Sequence, residues 1–214
     1  MGWREKLEKS KRSGVLHLSK DDISIGEYKE LFEQLKKINV ASINFRGNEI
    51  GDAVAKTLVN SLKDTRTIYI DLSKNNVWAM SLAEELKGTQ IKHLALNNNQ
   101  IKDAGAVALA NRLKDTQITI LYLNNNQIKD AGAIALANSL KDSQITDLHL
   151  NSNQIKDAGA VALANNLKDS QITDLHLNSN QIGEEGAIAL AKGLEDSQIT
   201  ALYLNNNQIG NAGQ

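Results

Sequence analysis

Cysteine and proline are both absent from this chain of 214 residues, and aromatic residues make up only 4% of it. Without cysteine there can be no disulfide bond, no thiolate zinc site and no cysteine nucleophile. Most irregular domains place several prolines in their turns, so a chain of this length without proline indicates uniform construction. We therefore expect a fold built from similar units.

The chain also lacks an excess of charge of one sign and a long apolar run. Lys and Arg number 24 against 25 Asp and Glu, a formal net charge of −1, so general attraction to nucleic acid or anionic lipid is not expected. No stretch approaches the roughly 18 apolar residues of a membrane helix, and residues 1–14 lack the apolar core of a signal peptide. The sequence predicts a cytoplasmic protein with no nucleic-acid partner and no membrane partner.

One motif recurs along the chain with nearly constant spacing. In one-letter code it reads IxxLxLxxNxI, and the segment QITDLHLNSNQI occurs twice, at 144–155 and 171–182. Successive copies are 27 residues apart, except for one step of 24 residues. The first core position of the motif falls at Leu16, Ile43, Ile70, Leu94, Leu121, Leu148, Leu175 and Leu202. Residues 15–214 are therefore predicted to be an array of about eight repeats, the last one incomplete.

Each repeat has a first half with the period of a strand and a second half with the period of a helix. Residues 118–123 alternate between two faces, as in a strand, whereas an apolar stripe recurs every four residues in 130–141. The stripe consists of Gly132, Leu136 and Leu140. Asp130 stands where it could cap the N-terminus of this helix.

Stacking of such repeats determines the overall architecture. Parallel strands stack at about 4.8 Å, whereas neighbouring helices need about 8–10 Å between their axes. The helical side must therefore be the longer arc. The sequence predicts an α/β solenoid shaped like a horseshoe, with parallel strands on the concave face and helices on the convex face.

The N-terminal segment and the third repeat depart from this pattern. Trp3 and Leu7 lie four residues apart and Gly14 can stop a helix, which predicts a capping helix over residues 1–14. A basic partner-binding tail is the alternative interpretation, because lysines and an arginine cluster there. In the short third repeat, Trp78 is expected to pack against the shortened turn, with a binding site on the convex face as the alternative.

At the other end, the last strand and turn are not followed by a helical segment. A row of apolar residues would then face an uncovered edge of the array. This row consists of Ile199, Leu202, Leu204 and Ile209. We expect either association through this C-terminal edge or a longer array.

In the fourth repeat the pattern L-x-L-x-x-N-x-I is followed by a glycine and two leucines at helical spacing. The residues concerned are Leu94, Leu96, Asn99, Ile101, Gly105, Leu109 and Leu113. The pattern resembles the leucine-rich repeats of the ribonuclease-inhibitor-like class, over about residues 13–214. The resemblance implies that the motif asparagine forms an inward ladder that bonds the backbone of the turns, and a buried turn needs such partners. This position holds Asn48, Asn75, Asn99, Asn126, Asn153, Asn180 and Asn207, with Asp21 in the first repeat.

Motifs of catalysis are missing from the sequence. There is no phosphate-binding loop, no zinc-binding histidine pair, no nucleophile elbow and no dinucleotide fingerprint. We therefore expect a protein that is not an enzyme, with no catalytic residues and no cofactor.

Rare side chains gather instead on the predicted concave face. All four histidines and three of the four tyrosines fall in two columns of strand positions. Tyrosine and histidine combine apolar area with hydrogen-bonding groups, which suits recognition. The predicted partner-binding residues are Tyr69, Asp71, His93, Tyr122, Asp147, His149, Asp174, His176 and Tyr203. Asn124, Asn151 and Asn178 flank them and are expected to add adaptable hydrogen bonds.

The sequence Asp-Leu-His occurs on two adjacent predicted strands and permits a second interpretation. Two imidazoles and two carboxylates could hold Zn²⁺ or another transition metal. A flat, exposed sheet preorganises ligands poorly, so hydrogen bonding between Asp and His is expected and no metal site is predicted. The four residues are Asp147, His149, Asp174 and His176.

The resemblance implies a non-enzymatic module that binds a protein partner on the concave face. The family includes ribonuclease inhibitor, the sensing arrays of NOD-like receptors and the GTPase-activating protein for Ran. A regulator of a GTPase and a purely structural scaffold are therefore the alternatives. The near-identical repeats, rich in Lys, Asn and Ile, also resemble repeat effectors of intracellular bacteria, which act on host proteins. Such an effector would enter a host cell without a classical signal peptide.

Overall fold

Eight short parallel strands form one open sheet. The computed structural model of the chain describes residues 2–20 and 23–210. Within these residues the strands pair in sequence order, and each neighbouring pair is parallel. They are β1 (Val15–His17), β2 (Ser42–Asn44), β3 (Tyr69–Asp71), β4 (His93–Ala95), β5 (Ile120–Tyr122), β6 (Asp147–His149), β7 (Asp174–His176) and β8 (Ala201–Tyr203).

One helix precedes β1, and one follows each strand from β1 to β7. The helices are α1 (Trp3–Ser13), α2 (Ile25–Leu35), α3 (Asp52–Ser61), α4 (Met80–Glu85), α5 (Lys102–Leu113), α6 (Asp130–Ser139), α7 (Asp157–Leu167) and α8 (Glu184–Gly193). A 3₁₀ turn, Leu140–Asp142, follows α6. From α2 onward each helix packs against the next, so the strands form one side of the array, the strand face, and the helices the other, the helix face. The predicted α/β solenoid is confirmed.

The hydrophobic core lies between the sheet and the helices. The middle residue of each strand from β1 to β7 is fully buried, as are Leu136 and Leu140 of the predicted helical stripe. In β5, β6 and β7 the residues on either side of the middle position, such as Ile120 and Tyr122, are only half-buried. Alternation along each strand therefore sends one side chain into the core and two toward the strand face.

An asparagine ladder runs through the turns that follow the strands, as the sequence predicts. Asn153 is typical, because its Nδ2 donates to the carbonyl oxygens of Leu123 and Leu150, each at 3.0 Å. Its Oδ1 accepts from the backbone N–H groups of Asn126 and Ile128 in the preceding repeat, both at 3.0 Å. The ladder position in the first repeat, Asp21, lies outside the described residues.

The prediction that Asp130 caps its own helix is wrong. Asp130 is the first residue of α6, and its side chain makes no capping bond there. Its Oδ1 instead accepts from the N–H groups of Lys156 (2.8 Å) and Gly159 (2.9 Å), at the start of α7. Each such aspartate therefore caps the helix of the following repeat. A side chain at Gly159 would clash with this carboxylate, since an added Cβ would lie 2.8 Å from Asp130 Oδ1.

At the N-terminus, α1 lies over the first strand. The helix buries Trp3 and Leu7 and ends at Gly14, whose φ of 71° lies in the left-handed region that glycine tolerates. Trp3 Nε1 donates to Glu27 Oε1 at 3.0 Å. Glu27 also accepts from the backbone N–H and the hydroxyl of Ser24, at 3.1 and 2.8 Å, in the capping box of α2. One carboxylate thus fixes α1 to α2.

The expectation that Trp78 packs against the shortened turn of the third repeat is wrong. Trp78 is 56% exposed and nearby Met80 is 52% exposed. The backbone explains this, because Ala79 adopts a left-handed φ of 65° and α4 is only six residues long. The Trp78 N–H donates to Asp52 Oδ1 at 3.2 Å, so the backbone of the turn is held while its side chain points to solvent.

At the other end of the array, the last repeat is less buried than the one before it. Ile199, Leu202 and Leu204 are only half-buried, whereas the equivalent Ile172, Leu175 and Leu177 are fully buried. Within residues 2–20 and 23–210, no helix has both the length and the apolar composition needed to cross a membrane.

Candidate functional site

Two columns of side chains cross the strand face, and the strand register places them as the sequence predicts. The central column follows the last residue of each strand, so that Tyr122 pairs with His149, His149 with His176, and His176 with Tyr203. The second column follows the first residue of each strand, where Asp147 pairs with Asp174. In-register parallel pairing therefore brings equivalent positions of successive repeats side by side.

Four aromatic and imidazole rings of the central column form one continuous stack. The ring centroids of Tyr122 and His149 are 4.4 Å apart, those of the two histidines 3.9 Å, and those of His176 and Tyr203 4.2 Å. The planes of successive rings differ by 29°, 14° and 10°. Parallel strands lie about 4.8 Å apart, so the rings lean toward one another and touch face to face. We call these four residues the ring stack.

Asp147 lies beside the two histidines of the ring stack. Its Oδ1 is 3.0 Å from His149 Nε2 and 3.6 Å from His176 Nε2. The approach of His149 is not aligned as a hydrogen bond, and that of His176 is too long for one. Among the described residues this buried oxygen has no hydrogen-bond partner. One ligand atom from each of these three residues lies within 4.8 Å of the other two, a spacing that could hold a metal ion.

Burial shifts the pKa values of His149 and Asp147 in opposite directions. Burial, reinforced by nearby His176, lowers the pKa of His149 to about 4, although Asp174 acts in the opposite direction. The imidazole of His149 is therefore neutral at pH 7, and its short distance to Asp147 is not an ion pair there. Burial also raises the pKa of Asp147, with Asp174 adding to the effect and His176 and His93 opposing it.

Asp174 behaves differently from Asp147, although both precede the same Leu-His dipeptide. Its Oδ2 accepts a hydrogen bond from the hydroxyl of Thr173 at 2.7 Å. The expected hydrogen bonding between Asp and His is therefore replaced by two different arrangements. One carboxylate lies against both imidazoles, and the other is held by its own neighbour along the chain.

The remaining predicted residues lie toward the N-terminal part of the strand face. Tyr69 and His93 meet edge to face, with ring centroids 6.3 Å apart. Asp71 lies in the central column but is only 6% exposed, and its Oδ1 accepts from the Ser73 N–H at 2.8 Å. Asp71 therefore supports a turn and offers a partner little surface.

The asparagine runs that follow the strands are more structural than the sequence suggests. Asn124 Oδ1 accepts from the Asn151 N–H at 2.8 Å, and Asn151 Oδ1 accepts from the Asn178 N–H at 2.8 Å. These first asparagines form a second ladder that sequence reasoning missed. The ladder engages their Oδ1 atoms as acceptors and leaves their Nδ2 groups as donors for a partner. The middle residue of the run adopts a left-handed φ, 57° at Asn125, which asparagine tolerates better than most residues. The second repeat has Gly47 at the equivalent position, and this glycine could have indicated from the sequence that the position has a left-handed φ.

Comparison with known proteins identifies the repeats. The sequence model of the family described as Leucine Rich repeat matches residues 89–110, 114–137, 143–164 and 168–191. No curated protein is significantly similar to the chain in sequence. The assignment to the ribonuclease-inhibitor-like class stays a prediction.

Three solved structures illustrate the likeness of fold. An internalin from Listeria monocytogenes has a TM-score of 0.62 at 22% identity, and the match covers 92% of this chain and 49% of the internalin. A structure described as leiomodin-1 actin-binding site 2 has a TM-score of 0.51 at 19% identity, covering 80% of this chain and 91% of that one. A plant ice-binding protein has a TM-score of 0.52 at 15% identity, covering 93% and 68%.

Identities this low show a shared fold alone, and the chain spans about half the length of the internalin it matches. The family match is more specific, because it falls on four successive repeats and on the motif that builds each strand and turn. Since the described chain also winds as a solenoid of that kind, this chain is a leucine-rich-repeat protein.

Proposed function

We propose that the strand face binds a protein partner and that the ring stack is the centre of this contact. The observation that supports the proposal is the continuous stacking of four partly exposed rings on a rigid sheet. Rings held by their neighbours lose little side-chain entropy on binding, and they offer both apolar area and hydrogen-bonding groups. Such rings are suited to be the anchors of an interface.

The distribution of charge supports a preferred orientation of the partner. Lys74 and Lys92 are exposed beside the N-terminal half of the strand face, whereas Asp147 and Asp174 lie on its C-terminal half. A partner with acidic groups at one end and basic groups at the other would be steered into a single orientation. Salt should therefore slow association more than it speeds dissociation.

The role of a bacterial effector and the cytoplasmic location belong to the same proposal. They are supported by the composition of the repeats and by the absence of cysteine. For the GTPase-regulator alternative, no functional residue of that relative can be matched to a residue of this sequence. A purely structural scaffold is the alternative that the following experiment distinguishes.

The test compares the two faces of the array. A partner captured from a lysate by the immobilised wild-type chain would be purified, and its affinity measured by titration calorimetry. Tyr122→Ala with Tyr203→Ala should weaken binding by at least about 2 kcal/mol, with unchanged circular dichroism. Lys129→Ala with Lys156→Ala, both exposed on the helix face, should leave the affinity unchanged. The opposite pattern would place the functional surface on the helix face.

We also propose that copies of the chain associate through the C-terminal edge. The supporting observation is the half-exposed row of Ile199, Leu202, Leu204 and Ile209. Light scattering on the polypeptide of residues 1–214 should show a mass that rises with concentration. A constant monomer mass at high concentration would contradict this.

A further inference from the structure

Asp147, on the strand face, has a buried side-chain oxygen without a hydrogen-bond partner among the described residues. Buried acceptors are nearly always hydrogen-bonded, because an unpaired one loses its interaction with water and gains nothing in return. Asp147 Oδ1 has no hydrogen-bond partner among the described residues, yet it lies within 3.6 Å of the Nε2 atoms of both His149 and His176. The Nε2 atoms of two imidazoles therefore lie close to the same carboxylate oxygen.

We propose that Asp147, His149 and His176 form a binding site for a divalent transition metal ion of the Zn²⁺ type. Such an ion would supply the positive partner that the carboxylate lacks and would accept the lone pairs of both imidazoles. The proposal concerns the metal alone and holds whether or not the strand face binds a protein.

The separations of the ligand atoms fit this ion. Zinc bonds to imidazole nitrogen and carboxylate oxygen are about 2.0–2.2 Å long, so two ligands of a tetrahedral ion are roughly 3.3–3.6 Å apart. The observed distances from Asp147 Oδ1 to the two Nε2 atoms, 3.0 and 3.6 Å, lie close to this range. Three protein ligands would leave a fourth position for water or for a group from another molecule.

The stacking of the imidazoles defines the movement that binding requires. The rings of His149 and His176 are nearly parallel, with planes 14° apart, so lone pairs lying in the ring planes do not point at a common atom. Rotation about the bond that joins each ring to its Cβ is soft, with broad wells. Metal binding therefore tilts the two rings toward Asp147 and away from face-to-face contact. Tyr122 and Tyr203, which cover the outer faces of the pair, should sense this movement.

The type of ligand predicts the type of ion. Imidazole nitrogens suit Zn²⁺, Co²⁺ and other first-row ions, whereas Mg²⁺ and Ca²⁺ prefer shells made of oxygen atoms. Two nitrogens in a set of three ligands should therefore exclude Mg²⁺ and Ca²⁺ at millimolar concentration. This selectivity separates the proposed site from ordinary binding of cations to acidic surfaces.

The repeated sequence supplies a matched control inside the same protein. Asp147 and Asp174 occupy equivalent positions in adjacent repeats and are both partly exposed. Only Asp147 lies against the imidazoles, since the carboxylate of Asp174 accepts from the Thr173 hydroxyl. Removing one carboxylate should therefore abolish the site, and removing the other should not.

The experiment uses the chelator-treated full chain and the metal alone. Zn²⁺ is titrated by calorimetry, and Co²⁺ is followed by visible absorption, whose intensity reports a tetrahedral site with nitrogen ligands. Wild type should bind one ion, and Asp147→Asn and His176→Gln should each bind at least about tenfold more weakly. Asp174→Asn and His17→Gln should bind as wild type does. Circular dichroism confirms that each variant is folded.

Each outcome either supports the proposed metal site or contradicts it. Equal binding by Asp147→Asn and Asp174→Asn would overturn the proposal, as would a wild-type chain that binds no Zn²⁺ at micromolar concentration. Competition by millimolar Mg²⁺ would also overturn it. Loss of binding in Asp147→Asn and His176→Gln alone, accompanied by a change in tyrosine fluorescence when wild type binds Zn²⁺, would establish it.

Discussion

The asparagine ladder allows a prediction about a single buried amide. Asn153→Ala removes a side chain whose four strongest hydrogen bonds, all near 3.0 Å, reach two different repeats. The backbone N–H groups of Asn126 and Ile128 then have no acceptor in a site that is closed to water, because both residues are fully buried. The carbonyl oxygens of Leu123 and Leu150 each lose one donor.

The cost follows from the number of groups left unpaired. A buried donor without an acceptor costs about 1–3 kcal/mol, and two are created together, so we expect the free energy of unfolding to fall by about 2–6 kcal/mol. Asn207→Ala is the matched control, because Asn207 makes the equivalent bonds to Leu177, Leu204 and Ile182 but is half-exposed. Asn207 Oδ1 accepts from one buried N–H, that of Ile182, whereas Asn153 Oδ1 accepts from two. The loss in Asn207→Ala should therefore be about 1–3 kcal/mol, roughly half of that in Asn153→Ala.

Urea denaturation followed by circular dichroism measures both changes. Hydrogen exchange adds a local readout, since the amide protons of Asn126 and Ile128 should exchange faster in Asn153→Ala while the middle of α6 stays protected. Equal losses of stability in the two variants, or unchanged exchange at Asn126 and Ile128, would refute the reasoning that buried turn amides determine the cost.

Two further predictions concern α1 and the helix caps. Hydrogen bonds lower the pKa of Glu27 to about 2 from an ordinary 4.5. The largest effect comes from the indole N–H of Trp3, and smaller ones come from the hydroxyl and the backbone N–H of Ser24. The stability from this ionised carboxylate is fully present above about pH 4.5 and is lost as the pH falls toward 2. The urea midpoint of wild type should therefore fall more steeply than that of Glu27→Gln in this window, and parallel curves would contradict the assignment. Asp130→Ala, which uncaps α7, should lower the free energy of unfolding by about 1–2 kcal/mol; an equal loss in the exposed control Asp169→Ala would show that the cap contributes nothing.

The sequence alone predicts most of the fold, because periodicity determines which side chains are buried. The register that aligns Leu148 with Leu175, and the columns that align His149 with His176, follow directly from a repeat of 27 residues. The ladder role of Asn153 follows from the need to satisfy a buried turn. Such features recur in each repeat, so each copy strengthens the prediction for the others.

What the sequence did not predict depends on contacts between repeats. Asp147 and Asp174 have the same neighbours along the chain, yet β5 places Ile120 beside Asp147 and β8 places Ala201 beside Asp174. Helix capping by Asp130 was predicted in the wrong repeat for a similar reason. An aspartate that caps its own helix and one that caps the next helix stand at the same position of the repeat sequence, so the sequence cannot distinguish them. Trp78 stands in the one repeat that is three residues shorter than the others, so no other copy could indicate its exposure.

The hydrogen bonds between repeats give the array a direction along its axis. The carboxylate of Asp130 reaches forward to α7, whereas the amide oxygen of Asn153 reaches back to the turn that holds Asn126 and Ile128. A repeat in the middle that opened alone would leave unpaired groups on both of its neighbours, whereas a repeat at an end would leave them on one side only. Because coupling between nearest neighbours controls the stability of repeat arrays, unfolding should begin at an end and advance along the chain as a front, with the interior opening last.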